Sequence, residues 1–182
     1  MTKTILITGA SSGIGAGMAR EFAQMGYNLA ICARRLERLE TLKQELEQQY
    51  GIRMIAKSLD VTNYDQVFQV FREFKQDFGQ LDRIIVNAGV GEGRRIGKGN
   101  FAINKATVET NFISALAQCE AAVEIFREQN SGHLVMISSM SAIRGMPKHL
   151  TAYGASKAAV AHLAEGIRAE LIDTPIQVTT IF

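Results

Sequence analysis

The sequence has little that would suit a charged partner or a lipid bilayer. Lysine and arginine number 20 against 18 aspartates and glutamates, a net charge of +2, so there is no electrostatic footprint for nucleic acid or an acidic membrane surface. No run of eighteen apolar residues occurs, and Met1-Thr2-Lys3-Thr4 leads into too few apolar residues for a signal peptide. The expectation is a cytoplasmic protein with no nucleic-acid partner and no membrane attachment. Cysteine is scarce: Cys32 stands in an apolar strand pattern and Cys119 far away in a helical one, which points to buried reduced thiols rather than a disulfide. The three histidines, His133, His149 and His162, show no ligand spacing, so no metal is expected. Internal repeats and low-complexity segments are also missing. What remains is small-molecule chemistry.

At 182 residues and 47% hydrophobic composition, the chain has the size of one domain with a full core, taken here as residues 1–182. Short β-rich apolar runs alternate with longer helical patterns. Strands are expected at residues 3–8, 27–33, 52–59, 82–87, 132–138 and 176–182, and helices at 13–25, 35–50, 63–78, 102–129 and 152–173. In residues 63–78, Val67, Val70, Phe71, Phe74 and Phe78 repeat at three and four while Asp65, Arg72, Glu73 and Lys75 fall largely elsewhere. That gives one buried stripe and one wet face. The rhythm is that of an α/β fold: a three-layer, Rossmann-type, doubly wound parallel sheet.

Thr8-Gly9-Ala10-Ser11-Ser12-Gly13-Ile14-Gly15 follows the apolar run Ile5-Leu6-Ile7. A strand that enters such a glycine turn and then a helix brings backbone N–H groups against a phosphate, where side chains would keep the ligand away. The spacing Gly-x-x-x-Gly-x-Gly matches neither the common dinucleotide fingerprint nor the Walker loop. About twenty residues further on, the second strand delivers Arg34 and Arg35. At that place an acidic residue binds a ribose 2′-hydroxyl, whereas a guanidinium suits a 2′-phosphate. Cations at a helix start oppose its dipole, so a bound anion is the better explanation for the pair. Asp60 ends the third strand, where it either caps the next helix or meets an adenine amino group. The stretch Gly89 to Asn100 holds four further glycines with Arg94, Arg95 and Lys98. It reads as a mobile loop whose charges are mostly solvated and could touch an anionic ligand.

Tyr153 and Lys157 lie four apart at the start of the last helix, hence on one face. An ammonium near a phenol favours the phenolate: two charges about 4 Å apart at an effective dielectric of ~20 interact by about 4 kcal/mol. Such a phenol can serve as a general acid or base. Fourteen residues upstream of Tyr153 stands Ser139, past the strand Leu134-Val135-Met136-Ile137. Its hydroxyl could hold a carbonyl or alcohol oxygen within reach of the phenol.

These residues, with Asn87-Ala88-Gly89 after the fourth strand and Asn111 in the long helix, resemble the classical short-chain dehydrogenases/reductases over the whole chain. The resemblance implies an oxidoreductase that transfers hydride between a nicotinamide dinucleotide and an alcohol, ketone or aldehyde. It makes Tyr153 the general acid/base, Ser139 the residue that orients the substrate oxygen, and Lys157 the residue that favours the Tyr153 phenolate and binds the nicotinamide ribose. Asn111 would hold a water that relays protons. Gly9, Ser11, Ser12, Gly13, Ile14, Gly15, Arg34, Arg35, Asp60, Val61, Asn87, Ala88 and Gly89 would form the cofactor site together with Tyr153 and Lys157. The two arginines favour NADP(H), with NAD(H) as the alternative. A homodimer or homotetramer built on helices 102–129 and 152–173 is also implied. Family members commonly have the serine thirteen positions before the tyrosine, against fourteen for Ser139 here, so Ser141 stands in reserve behind Ser139, and Ala142 occupies a position where many have glycine. The family continues past the sixth strand with a Pro-Gly turn, a substrate lid and a seventh strand. The expectation is therefore a fold lacking the C-terminal strand and lid, with a catalytically inactive truncated or regulatory nucleotide-binding module as the competing function.

Overall fold

A computed structural model describes residues 2–146 and 148–182. Six parallel strands form one sheet: β1 (Thr4–Thr8), β2 (Asn28–Ala33), β3 (Met54–Ser58), β4 (Arg83–Val86), β5 (Gly132–Ile137) and β6 (Ile176–Ile181), in the order β3-β2-β1-β4-β5-β6. The helices are α1 (Gly13–Gln24), α2 (Leu36–Tyr50), α3 (Tyr64–Phe78), α4 (Phe101–Val108), α5 (Ser114–Gln129) and α6 (Thr151–Glu170). All six expected strands are present, with bounds within two residues of expectation.

The alternation along β1 explains the layers. Ile5 and Ile7 point to one face, where they pack with Ala19 and Ala23 of α1 and Leu39, Leu42 and Leu46 of α2. Leu6 points to the other face, among Phe71 and Phe74 of α3, Phe126 of α5 and Val160 and Ala164 of α6. A strand buried on both faces needs apolar residues at successive positions, and Ile5-Leu6-Ile7 supplies them. Each fully buried phenylalanine contributes about 1.5–3 kcal/mol relative to exposure. The cover thins toward β6. There Ile176 and Val178 are buried on the α6 side, while Gln177, Thr179 and Ile181 are exposed on the other.

One helix departs from expectation. Residues 102–129 are not a single α-helix: a π-helical turn, Glu109–Ile113, separates α4 from α5. The inserted residue shifts the face of everything before it, and Asn111 lies at its centre, buried. Such π-turns concentrate at functional sites.

The sheet's order reverses between β1 and β4, so the crossover helices leave in opposite directions there and open a crevice at the carboxyl edge. The candidate site lies in it.

Candidate active site

The crevice is a cavity of about 640 Å³. Its wall runs from the glycine turn through Arg34, Arg35, Asp60, Val61 and Thr62, then Asn87 to Gly91, Glu109 and Thr110, to Ile137, Ser138, Tyr153 and Lys157. Every residue expected to form the cofactor site lines it. Ser139 and Asn111 do not: Ser139 follows Ser138 directly, and Asn111 lies behind the wall.

The three glycines of the turn are required for different reasons. A Cβ on Gly9 would stand 2.8 Å from Ala88 Cα, and Gly9 also has φ +69°. On Gly15 it would lie 2.5 Å from the Gly9 carbonyl oxygen and 2.7 Å from Asn87 Nδ2. Gly13, at φ +56°, would meet nothing within 4 Å; its conformation demands glycine, and the space beside it is open. The turn is bound to its neighbours on both sides. The N–H groups of Gly9 and Ala10 donate to the Cys32 carbonyl of β2. The N–H groups of Asn87 and Ala88 donate to Thr8 Oγ1, and Asn87 Nδ2 donates to the Thr8 carbonyl at 2.8 Å.

The N-terminus of α1 suits an anion. Ser12 at its cap makes no capping bond to the helix, and no acidic residue stands in the first turn. The first-turn N–H groups thus lack intrahelical partners and side-chain caps, at the positive end of the helix dipole. Arg35 reaches over the turn, donating to Ser11 Oγ and Ser12 Oγ, both at 2.9 Å or less through Nη2. Arg34 stands close enough to Asp60 to act on its carboxylate. Burial pulls the Asp60 pKa up, yet donation from Thr62 N–H and O–H, together with the Arg34 charge, holds it below the usual value. Asp60 does not cap α3. That role belongs to Asn63, whose side chain accepts from the Gln66 N–H.

At the other end Lys157 is buried and donates to the Ile137 carbonyl at 2.9 Å. Burial lowers its pKa below the ordinary lysine range. The Ser138 hydroxyl donates to the Lys157 carbonyl and fixes α6 to the end of β5. Ser139 Oγ accepts from the N–H and O–H of Ser141, so its own proton is left for another oxygen. Ser141 is therefore the partner of Ser139 rather than its substitute in this geometry. Asn111 uses both amide hydrogens, on the Val90 carbonyl and Ser156 Oγ, while its Oδ1 accepts from the Val90 N–H. A water held by Asn111 thus has only the second lone pair of Oδ1 or the backbone carbonyl to use. Gly89 makes room for this cluster, since a Cβ there would lie 3.1 Å from Asn111 Oδ1 and 3.5 Å from Lys157 Nζ. Arg94, Arg95 and Lys98 lie outside the cavity wall.

The short chain dehydrogenase family model matches residues 3–182. The chain belongs to the short-chain dehydrogenase family. An oxidoreductase of Mycobacterium tuberculosis is 52% identical over 178 residues, covering 97% of this chain and 70% of that protein. Among solved structures, an alcohol dehydrogenase from Thermococcus sibiricus complexed with 5-hydroxy-NADP is similar at TM-score 0.90 and 28% identity, over 97% of this chain and 74% of that one. An NAD+-bound xylitol dehydrogenase is similar at TM-score 0.92 and 27% identity, over 98% and 68%. This short-chain dehydrogenase is thus an oxidoreductase of a family that works with nicotinamide cofactors. Sequence reasoning missed two contributors to its site: Thr8 as the clamp under the turn, and the Tyr64–Glu109 hydrogen bond across the cavity wall.

Proposed function

We propose that residues 1–182 form one nucleotide-binding domain of an NADP(H)-linked alcohol dehydrogenase or carbonyl reductase. The observation that carries the reading is a single cavity joining the uncapped α1 N-terminus and Arg34/Arg35 to Tyr153 and Lys157. The two similar structures hold different dinucleotides, so overall likeness does not choose between them; the two arginines support NADP(H). A guanidinium binds a 2′-phosphate through charge-assisted hydrogen bonds, and Asp60, the carboxylate that shares this part of the cavity wall, is itself engaged by Thr62.

When bound, the nicotinamide supplies or accepts the hydride. Tyr153 gives its phenolic proton to the carbonyl oxygen in reduction and takes it from the alcohol in oxidation. Ser139, with its hydroxyl oxygen held by Ser141, donates to the same substrate oxygen. Lys157, buried behind Tyr153, binds the ribose and stabilises the phenolate. Asn111 holds the Val90 backbone, and so the floor of the site, through its paired amide bonds. Met140, directly after Ser139, and Ile143, four residues after it, are 67% and 64% exposed, which suits a ketone, aldehyde or alcohol with an apolar body. A cytoplasmic homodimer or homotetramer completes the reading. No helix among the described residues is long and apolar enough to cross a membrane.

Reduction of a panel of apolar ketones by NADPH tests it. Tyr153→Phe should lower turnover by about 10²–10⁴-fold while NADPH affinity, measured by calorimetry, stays within about twofold. Turnover that survives this change would remove Tyr153 from the role of acid.

A further inference from the structure

Glu109 is a carboxylate in the wall of a cavity that, on the nucleotide reading above, takes a polyanion. An acid there repels phosphates unless it faces a donor. The structure shows where it is directed. The Tyr64 hydroxyl donates to Glu109 Oε1, and Tyr64 opens α3 four residues after Asp60. The carboxylate is thereby tied to the start of α3, the helix that follows Asp60–Thr62 of the cavity wall. Its second oxygen, Oε2, has no hydrogen-bond or ion-pair partner among the described residues. The hydrogen bond to Glu109, with smaller help from burial and the carboxylate charge, raises the Tyr64 pKa to about 12, so the phenol remains a donor throughout the working range. Asp60 is less available, because its Oδ1 accepts both donors of Thr62.

We propose that Glu109, held by Tyr64, accepts a hydrogen bond from the adenine amino group of the dinucleotide and is a specificity residue for the adenine base. The inference rests on the nucleotide reading, and it concerns a residue on the π-turn rather than the end of β3. It also joins the two ends of the site physically, since the turn that begins with Glu109 carries Asn111 two residues on.

The test compares binding of NADPH with that of its hypoxanthine analogue, in which a carbonyl oxygen replaces the amino group, by calorimetry on the full chain. The starting protein should favour NADPH by about tenfold, the scale of one hydrogen bond to a charged group. Glu109→Gln, whose amide can turn to serve either base, should reduce the preference to about twofold. Tyr64→Phe should lower it to an intermediate value, because the carboxylate stays but loses its tether. A Glu109→Gln variant that weakens both dinucleotides equally would overturn the proposal, and so would one that changes neither. Equal weakening is what a merely structural role, or a contact to the ribose hydroxyls shared by both dinucleotides, would give. A preference that survives Glu109→Gln but collapses in Asp60→Asn would assign the amino group to Asp60 and contradict it as well. If the starting protein binds neither dinucleotide, the nucleotide reading itself fails and this inference falls with it.

Discussion

At the β1 end of the cavity the shape is fixed by backbone packed on backbone, whereas at the β5 end it depends on side chains at the start of turns. Gly9, Gly15 and Ala88 approach more closely than a Cβ permits, and Thr8 and Cys32 bind the turn from both sides. Both faces of β1 are covered by helices. Ser139, by contrast, opens a three-residue 3-10 turn, Met140–Ala142, whose Met140 is exposed, and β6 beyond it is covered on one face. The difference matches the two tasks. Phosphates bind one constant geometry, which rigid N–H groups serve best. A substrate pocket must differ from one enzyme to another, and that variety is held in loops.

The stiff end can be broken by one methyl group. Gly15→Ala places a Cβ 2.5 Å from a backbone oxygen. It should cost about 1–3 kcal/mol in urea unfolding and weaken dinucleotide binding in parallel. Gly13→Ala sharpens the same point, because its penalty of about 1–2 kcal/mol comes from the left-handed backbone alone. If Gly15→Ala proves the milder change, the packing at this end is looser than the geometry requires.

A smaller effect of opposite sign belongs to the β5 end. Burial lowers the pKa of Lys157, so folding makes its ammonium costlier than in the unfolded chain. The cost of keeping the ammonium is full at low pH and fades as pH rises through the folded pKa toward the unfolded value of 10.5. Lys157→Met removes that cost. The variant should be inactive yet more stable at neutral pH by about 1 kcal/mol, and its advantage should shrink in alkaline solution. A constant or growing advantage would show that desolvation is not what Lys157 opposes.

Much of this organisation is legible in the sequence, for physical reasons. Strand and helix patterns follow the side-chain periods, and the glycine turn, Arg34, Arg35 and Asp60 all lie at strand ends where a doubly wound sheet places them together. The π-turn is not legible, because a single inserted residue within an apolar helix leaves its composition unchanged. Nor is the Tyr64–Glu109 hydrogen bond: the two residues are 45 positions apart, and each alone looks like an ordinary solvated side chain on a helix. The pairing of Ser139 with Ser141 depends on the extended backbone of Ser139, which no local pattern announces. Asp60 alone leaves two roles open in the sequence; the structure gives the cap of α3 to Asn63, three residues closer to the helix.

Paired titrations with NADPH and NADH test most directly whether this cavity takes a dinucleotide by its 2′-phosphate. The starting chain should bind NADPH at least about tenfold more tightly, as one charge-assisted contact provides, and changing Arg34 and Arg35 together to alanine should remove that advantage while leaving NADH affinity nearly unchanged. Equal affinities in the starting chain, or an NADPH advantage that survives the double change, would contradict that mode of binding.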